Sequence, residues 1–218
     1  MINSNASFHF FELLKGICRS SNQVLDLGCS SGSMDFGTDS VGVVRIALDC
    51  DLSLLKKNNS FKNRIAADLY HLPFRETQFD FIVFKYVLEH LRYPELAVAS
   101  LNSITKKNQF VYVVVPKYYA FQDTLYRFLG KTAELLGCGK QAHIQKFTFG
   151  SLCRLFYSNG FVMVDFFEAD AGLSFLDRSR ARKTLKGFIK LFLKFVQVLF
   201  GKNLLERNEM HFIFCKFD

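Results

Sequence analysis

An apolar strand that runs directly into a turn of small residues constrains this chain most. The segment 24–32, VLDLGCSSG, contains Gly28 and Gly32, and a second apolar run, 45–48, ends on Asp49, twenty-one residues after Gly28. Glycine and serine let the backbone pass close to a ligand that a larger side chain would meet first. An acid at the tip of the next strand can accept hydrogen bonds from a ribose diol. The pattern predicts a nucleotide-binding α/β fold.

The spacing of the small residues excludes two common phosphate-binding motifs from this turn. Ser30 stands between Gly28 and Gly32, so the turn does not form Gly-x-Gly-x-x-Gly, and Gly32 is followed by Ser33 and not by the Lys-Ser/Thr of a P-loop. A dinucleotide pyrophosphate is therefore not the expected ligand, and the turn is not a P-loop.

Further motifs follow in an order and spacing that narrow the family. They are 67–74, ADLYHLPF, then 78–84, QFDFIVF, and then 87–91, VLEHL. With the first turn, they resemble the class I S-adenosylmethionine-dependent methyltransferases, in particular the small-molecule type 11 group. The resemblance is close from 24 to about 116 and weaker over 143–161. It implies a Rossmann-like, seven-stranded, mostly parallel sheet with an antiparallel last strand and helices on both faces. It also implies that the protein is an enzyme and that its cofactor is S-adenosyl-L-methionine.

The resemblance also implies which residues bind that cofactor. Asp26 would attract the ammonium of the methionine moiety, and backbone N–H groups of the turn would hold its carboxylate. Asp49 would bind the ribose, Asp68 would accept the adenine amine, and the Leu69 backbone would bond a ring nitrogen. Cys50 would lie flat against the adenine. The full implied set is Asp26, Gly28, Ser30, Gly32, Asp49, Cys50, Asp68, Leu69 and Lys85.

Two histidines are candidates for the acceptor side. Methyl transfer from a sulfonium is an in-line displacement, in which an enzyme mainly positions the acceptor and removes its proton. His90 lies near the expected start of the helix after the fourth strand. His143 precedes 145–148, QKFT, in a family pattern where a histidine introduces the next helix. Each is a candidate base or acceptor-binding group, and each has a structural alternative. Glu89 and His71 stand too isolated to indicate a site, and no metal-ligand cluster is visible.

The segment after Gly32 departs from the family pattern. A helix should begin there, but 33–42, SMDFGTDSVG, is rich in residues that disfavour helices. The departure keeps a second hypothesis open, a non-catalytic cofactor-binding or scaffold protein on a methyltransferase fold, associated with a membrane. The intact Asp26, Asp49 and Asp68 favour the enzyme.

Alternating strand and helix patterns predict one methyltransferase domain over 1–218. An insertion over 117–146 is expected to cap the acceptor, and one over 171–208 to hold a basic amphipathic helix. The predicted strands lie at about 23–28, 45–49, 63–68, 79–84, 109–115, 161–168 and 210–217. The predicted helices lie at about 7–19, 53–59, 94–107 and 147–159.

The positive charge of the chain is local. Eight Lys or Arg residues and no acid lie in 178–202, and without them 20 basic residues balance 20 acidic ones. On a helix over 184–200, Lys186, Lys190 and Lys194 form a narrow stripe on an otherwise apolar surface. Such a helix is too short and too charged to span a membrane comfortably, and it favours the interface of an anionic bilayer. The alternative is that this helix packs against the rest of the protein or in a homodimer interface. Its apolar side chains argue against a role in binding nucleic acid.

Two features of the sequence bear on the cellular compartment, namely the N-terminal residues and the cysteines. The first residues carry no basic region followed by a long apolar one, so no secretory signal is expected. Six cysteines show no C-x-x-C spacing, which is typical of reduced thiols in an intracellular protein. The sequence thus predicts a cytoplasmic protein, or one peripheral to the inner face of a membrane.

Overall fold

The computed structural model of the chain describes residues 23–32, 43–117, 144–170 and 208–217. Within these ranges seven strands form one sheet. The strands are β1 Gln23–Leu27, β2 Val44–Asp49, β3 Asn63–Ala66, β4 Phe79–Lys85, β5 Thr105–Pro116, β6 Phe161–Asp170 and β7 Asn208–Lys216. The α-helices are α1 Leu52–Lys57, α2 Pro94–Ile104 and α3 Phe149–Tyr157, and a single 3₁₀ turn covers Leu88–His90.

The sheet order is β3-β2-β1-β4-β5-β7-β6. Strands β1 to β5 pair in parallel, and β7 runs antiparallel to both β5 and β6. The predicted fold class, including its antiparallel last strand, is confirmed. Because the strand order reverses between β1 and β4, a crevice is expected at the carboxyl ends of these strands, where open α/β sheets bind ligands.

Apolar side chains fill both faces of the sheet, as expected for parallel strands covered on both sides. Residues of α2 and α3 belong to the buried cluster on one face, and Leu55 of α1 belongs to the cluster on the other. Phenylalanine dominates this core, and the Phe156 and Phe214 rings stack 4.0 Å apart between centroids. The largest fully buried side chains are Phe79, Phe81, Phe84, Phe156, Phe161, Phe212, Phe214, Leu25, Leu27 and Leu48.

Asp80 holds the amino ends of three central strands together. Its carboxylate accepts a hydrogen bond from the backbone N–H of Gln23 at 2.8 Å and from the Lys106 ammonium at 2.8 Å. Gln23 begins β1 and Lys106 lies in β5, on either side of β4. The acid therefore stabilises the sheet at the end opposite the expected ligand crevice.

Two helix boundaries differ from the predictions by a few residues. Helix α2 ends at Ile104, not near 107, because β5 begins at once with Thr105, whose buried hydroxyl donates to the Leu101 carbonyl at 2.7 Å. Helix α3 begins at Phe149, since Thr148 and the serine three residues later form a capping box. His90 ends the 3₁₀ turn that precedes α2, the helix expected after the fourth strand.

Several predicted features lie outside the described residues. They are the helix at 7–19, the segment 33–42 that is rich in residues disfavouring helices, most of the insertion 117–146, and nearly all of the insertion 171–208. Among the helices that the structure describes, none combines the length and the apolar character that crossing a bilayer requires.

Candidate cofactor site

The turn after β1 is held in a conformation that favours glycine. Gly28, Ser30 and Gly32 have φ angles of 72°, 50° and 75°, in the left-handed region that costs most residues free energy. The backbone N–H groups of Gly28 and Cys29 both donate to the Leu48 carbonyl, at 2.8 and 3.1 Å. These bonds fold the turn over the end of β2, beside the reversal of strand order.

Protein side chains occupy the space that side chains at the two glycines would need. A Cβ added to Gly28 would lie 2.3 Å from Cγ2 of Val87, and one added to Gly32 would lie 2.3 Å from Oδ1 of Asn58. Real Cβ atoms do not approach other atoms so closely. The glycines therefore permit close packing of the turn against the segments after β4 and α1, in addition to the close approach to a ligand predicted from sequence.

Asp49 joins the turn to the start of α1. Its Oδ2 accepts a hydrogen bond from the Ser30 N–H at 2.8 Å, and its Oδ1 accepts one from the Asp51 N–H at 2.9 Å. Asp51 itself caps α1 by accepting from the N–H of Ser53 at 2.8 Å. The two neighbouring acids thus have different roles, since Asp49 binds the backbone of the turn and Asp51 caps α1.

Asp26 is a buried acid on the strand that leads to the turn. Only 5% of it is exposed. Burial raises its pKa to about 7, although the positive charge of Lys85 lowers it; the charge of Asp49 adds to the rise. A ligand cation beside this carboxyl group would favour its ionised form, so the position suits an ammonium group.

Asp68 and Leu69 follow β3, at the same edge of the sheet. Oδ1 of Asp68 accepts from the Tyr70 N–H at 3.0 Å, and its Oδ2 lies 3.4 Å from Nδ1 of His71. The Ala67 N–H donates to the Asp49 carbonyl at 3.2 Å and ties this segment to β2. Asp68 is exposed and Leu69 is buried, so the acid can meet a ligand while the leucine side chain packs below it.

The remaining two predicted residues also lie at this edge. Lys85 ends β4, with its Nζ 5.0 Å from the centroid of the Tyr86 ring. Cys50 follows Asp49 directly and is exposed. The structure thus brings all nine predicted cofactor-binding residues to the carboxyl ends of β1 to β4.

On the acceptor side, the structure links the segments that carry the two histidines. The N–H groups of Ile144 and Gln145 donate to the Glu89 carbonyl at 2.7 and 2.9 Å. Half-buried His90 therefore lies near the segment that begins at Ile144. His143, which precedes this segment in the sequence, lies outside the described residues. No local sequence pattern indicates this link, because it joins residues more than fifty positions apart.

Glu89 is a buried acid that the sequence pattern did not single out. It is 2% exposed, and burial raises its pKa to about 7. Its Oε2 has no hydrogen-bond partner among the residues that the structure describes. Within those same residues, no group of three or more His, Cys, Asp or Glu side chains could hold a metal ion.

Comparison with known proteins identifies relatives of the chain. A family profile described as "Methyltransferase domain" matches residues 4–165. An uncharacterized protein from Methanocaldococcus jannaschii is 32% identical over 108 residues, which are 47% of this chain and 45% of that protein. The chain therefore aligns with less than half the length of this curated relative.

Solved structures share the fold at low sequence identity. YcgJ from Bacillus subtilis has a TM-score of 0.66 and 17% identity, over 97% of this chain and 99% of its own. A putative sarcosine dimethylglycine methyltransferase from Galdieria sulphuraria has a TM-score of 0.70 and 14% identity, over 98% and 86%. Phosphoethanolamine N-methyltransferase 2 from Haemonchus contortus, in complex with S-adenosyl-L-methionine, has a TM-score of 0.67 and 10% identity, over 98% and 53%.

Proposed function

The chain belongs to the methyltransferase-domain family, and we propose that it is an S-adenosylmethionine-dependent methyltransferase acting on a small-molecule or lipid-linked acceptor. One observation carries the proposal. Asp26, Asp49 and Asp68 lie at the carboxyl ends of three adjacent parallel strands, and the strand order reverses beside the first of these, between β1 and β4.

The chemistry of these groups fits the parts of the proposed cofactor. Asp26 is buried and poised to ionise beside an ammonium. The N–H groups of Gly28, Cys29, Ser30 and Gly32 already donate within the chain, which leaves that of Ser31, among the described residues, to bind a carboxylate. The Asp49 carboxylate already accepts two backbone hydrogen bonds, and its remaining lone pairs can accept ribose hydroxyls. Exposed Asp68 can accept the adenine amine.

When bound, the cofactor supplies an electrophilic methyl group on a sulfonium. The residues of this chain would hold the acceptor in line with that methyl and receive its proton. His90 and His143 are the proposed proton acceptors or acceptor-binding groups. The hydrogen bonds from Ile144 and Gln145 to Glu89 support the proposal that both histidines serve the same acceptor site. The insertion 117–146 would cap the acceptor.

The names of two structural neighbours support a small acceptor. One neighbour is named for sarcosine and dimethylglycine, and another for phosphoethanolamine. Incubating the protein and a cell extract with methyl-labelled S-adenosylmethionine tests the proposal, since an enzyme transfers the label to an extract component. Cofactor binding without any transfer of label would favour the non-catalytic hypothesis instead.

The basic segment 178–202 supports a membrane-bound acceptor. We propose that the helix over 184–200 attaches the protein to an anionic membrane surface. Each basic residue near such a surface contributes about 1 kcal/mol, so Lys186, Lys190 and Lys194 alone would not hold the protein there. The apolar side chains of the segment must insert as well.

Sedimentation with vesicles measures this attachment. The protein should pellet with phosphatidylserine-containing vesicles, and added salt should reduce the bound fraction without abolishing it. The matched variant Lys186→Gln/Lys190→Gln/Lys194→Gln should bind less. A wild-type protein that stays in the supernatant with both anionic and neutral vesicles, and is a stable dimer, would make the helix an oligomer contact.

A further inference from the structure

Asn58 connects the end of α1 to the turn after β1. It is wholly buried, with 0% of its surface exposed. Its Nδ2 donates to the Ser30 carbonyl in a long hydrogen bond of 3.4 Å, and its Oδ1 accepts from the Ser60 N–H at 3.1 Å. A buried amide is costly unless it is hydrogen-bonded, so these contacts account for its place in the core.

The backbone of Asn58 is fixed from the other side. The Arg64 guanidinium, on β3, donates through Nη1 to the carbonyl oxygens of Asn58 at 2.6 Å and of Leu55 at 3.2 Å. Leu55 is the buried residue of α1. Contacts with α1 and β3 therefore anchor the backbone of Asn58, whose side-chain amide points to the turn.

The amide also fills the space behind Gly32. A Cβ at Gly32 would lie 2.3, 2.6 and 2.8 Å from Oδ1, Cγ and Nδ2 of Asn58. The side-chain amide donates a hydrogen bond to the Ser30 carbonyl and packs against Gly32, so it contacts the turn at two points. Ser30 has a φ angle of 50°, a conformation that a residue other than glycine keeps only where its surroundings hold it.

We propose that Asn58 is a positioning residue for the cofactor-binding turn. It would act through the turn, by holding residues 30–32, and with them the Ser31 N–H, in one arrangement before the ligand arrives. Ordering a flexible segment on binding lowers affinity, and ordering it beforehand removes that loss. This inference rests on the proposed function, because it assumes that the turn binds S-adenosylmethionine.

The principal test replaces the amide and measures binding of S-adenosylhomocysteine by calorimetry. Asn58→Ala should raise Kd roughly 3- to 10-fold, the effect of losing about one net hydrogen bond. The isosteric Asn58→Asp keeps the acceptor for Ser60 but turns an oxygen toward the Ser30 carbonyl, and it should also bind more weakly. It serves as the second variant if the alanine protein does not fold.

A control separates positioning from a general loss of stability. Thr105→Val removes a buried hydrogen bond to the Leu101 carbonyl at the opposite end of the sheet. It should lower Tm but leave Kd unchanged. If Asn58→Ala and Asn58→Asp bind as tightly as the wild type, or if Thr105→Val weakens binding as much as they do, the inference is overturned.

A double-mutant cycle with Gly32 tests the contact itself. Gly32→Ala should weaken binding strongly in the wild type, because its methyl group meets the Asn58 amide. In the Asn58→Ala background the same change should weaken binding less, since the obstructing atoms are gone. Simple additivity would contradict the inference. A wild type that binds no S-adenosylhomocysteine would instead overturn the proposed function and the inference with it.

Discussion

Replacing His143 by alanine should lower turnover by roughly 10²–10⁴-fold and leave cofactor binding intact. A positioned base contributes a factor of this size because it removes the acceptor proton as the new bond forms. His143 stands one residue before the Ile144 N–H, which is bonded to the Glu89 carbonyl at 2.7 Å. The proposed base thus directly precedes, in the sequence, the segment that leads into α3.

The same measurement on His90→Ala separates the two candidates. Both variants would be assayed with the acceptor isolated by methyl labelling, and their affinity for S-adenosylhomocysteine would be measured in parallel. A loss of turnover in only one variant assigns the base, and the other histidine is its matched control. Near-normal turnover in both would assign both histidines to structure and remove general-base catalysis by histidine from the mechanism.

Replacing Asp49 by alanine should weaken cofactor binding by about 1–3 kcal/mol. The variant loses the proposed charge-assisted bonds to the ribose and also the acceptor for the Ser30 N–H at 2.8 Å. Asp51→Ala is the matched control, since Asp51 caps α1 through Ser53. It should lose about 0.5–2 kcal/mol of stability with little change in affinity. Equal affinity of Asp49→Ala and the wild type would exclude Asp49 from the site.

The sequence predicted the sheet because each of its signals is local. Apolar runs of four to seven residues, separated by turns and helical patterns, are enough to indicate parallel strands, and the fold and the family resemblance are both confirmed. The carboxyl ends of such strands meet at one edge, so Asp26, Asp49 and Asp68 could be expected together there. Their roles in cofactor binding stay predictions.

Features that depend on long-range contacts could not be predicted. Nothing near Asn58 in the sequence indicates that it packs on Gly32, and nothing near Glu89 indicates that its carbonyl holds Ile144. The helix predicted over 94–107 ends already at Ile104, because the pairing of Thr105 with Phe79 across the sheet overrides the helical pattern. Tertiary contacts decided each of these positions.

Calorimetric titration of the wild-type protein with S-adenosylmethionine decides whether the chain binds this cofactor. We expect saturable binding of S-adenosylmethionine and of its demethylated product, and no binding of NAD, because the turn lacks the spacing that a dinucleotide pyrophosphate requires. Binding of NAD with no response to the other two ligands would contradict it.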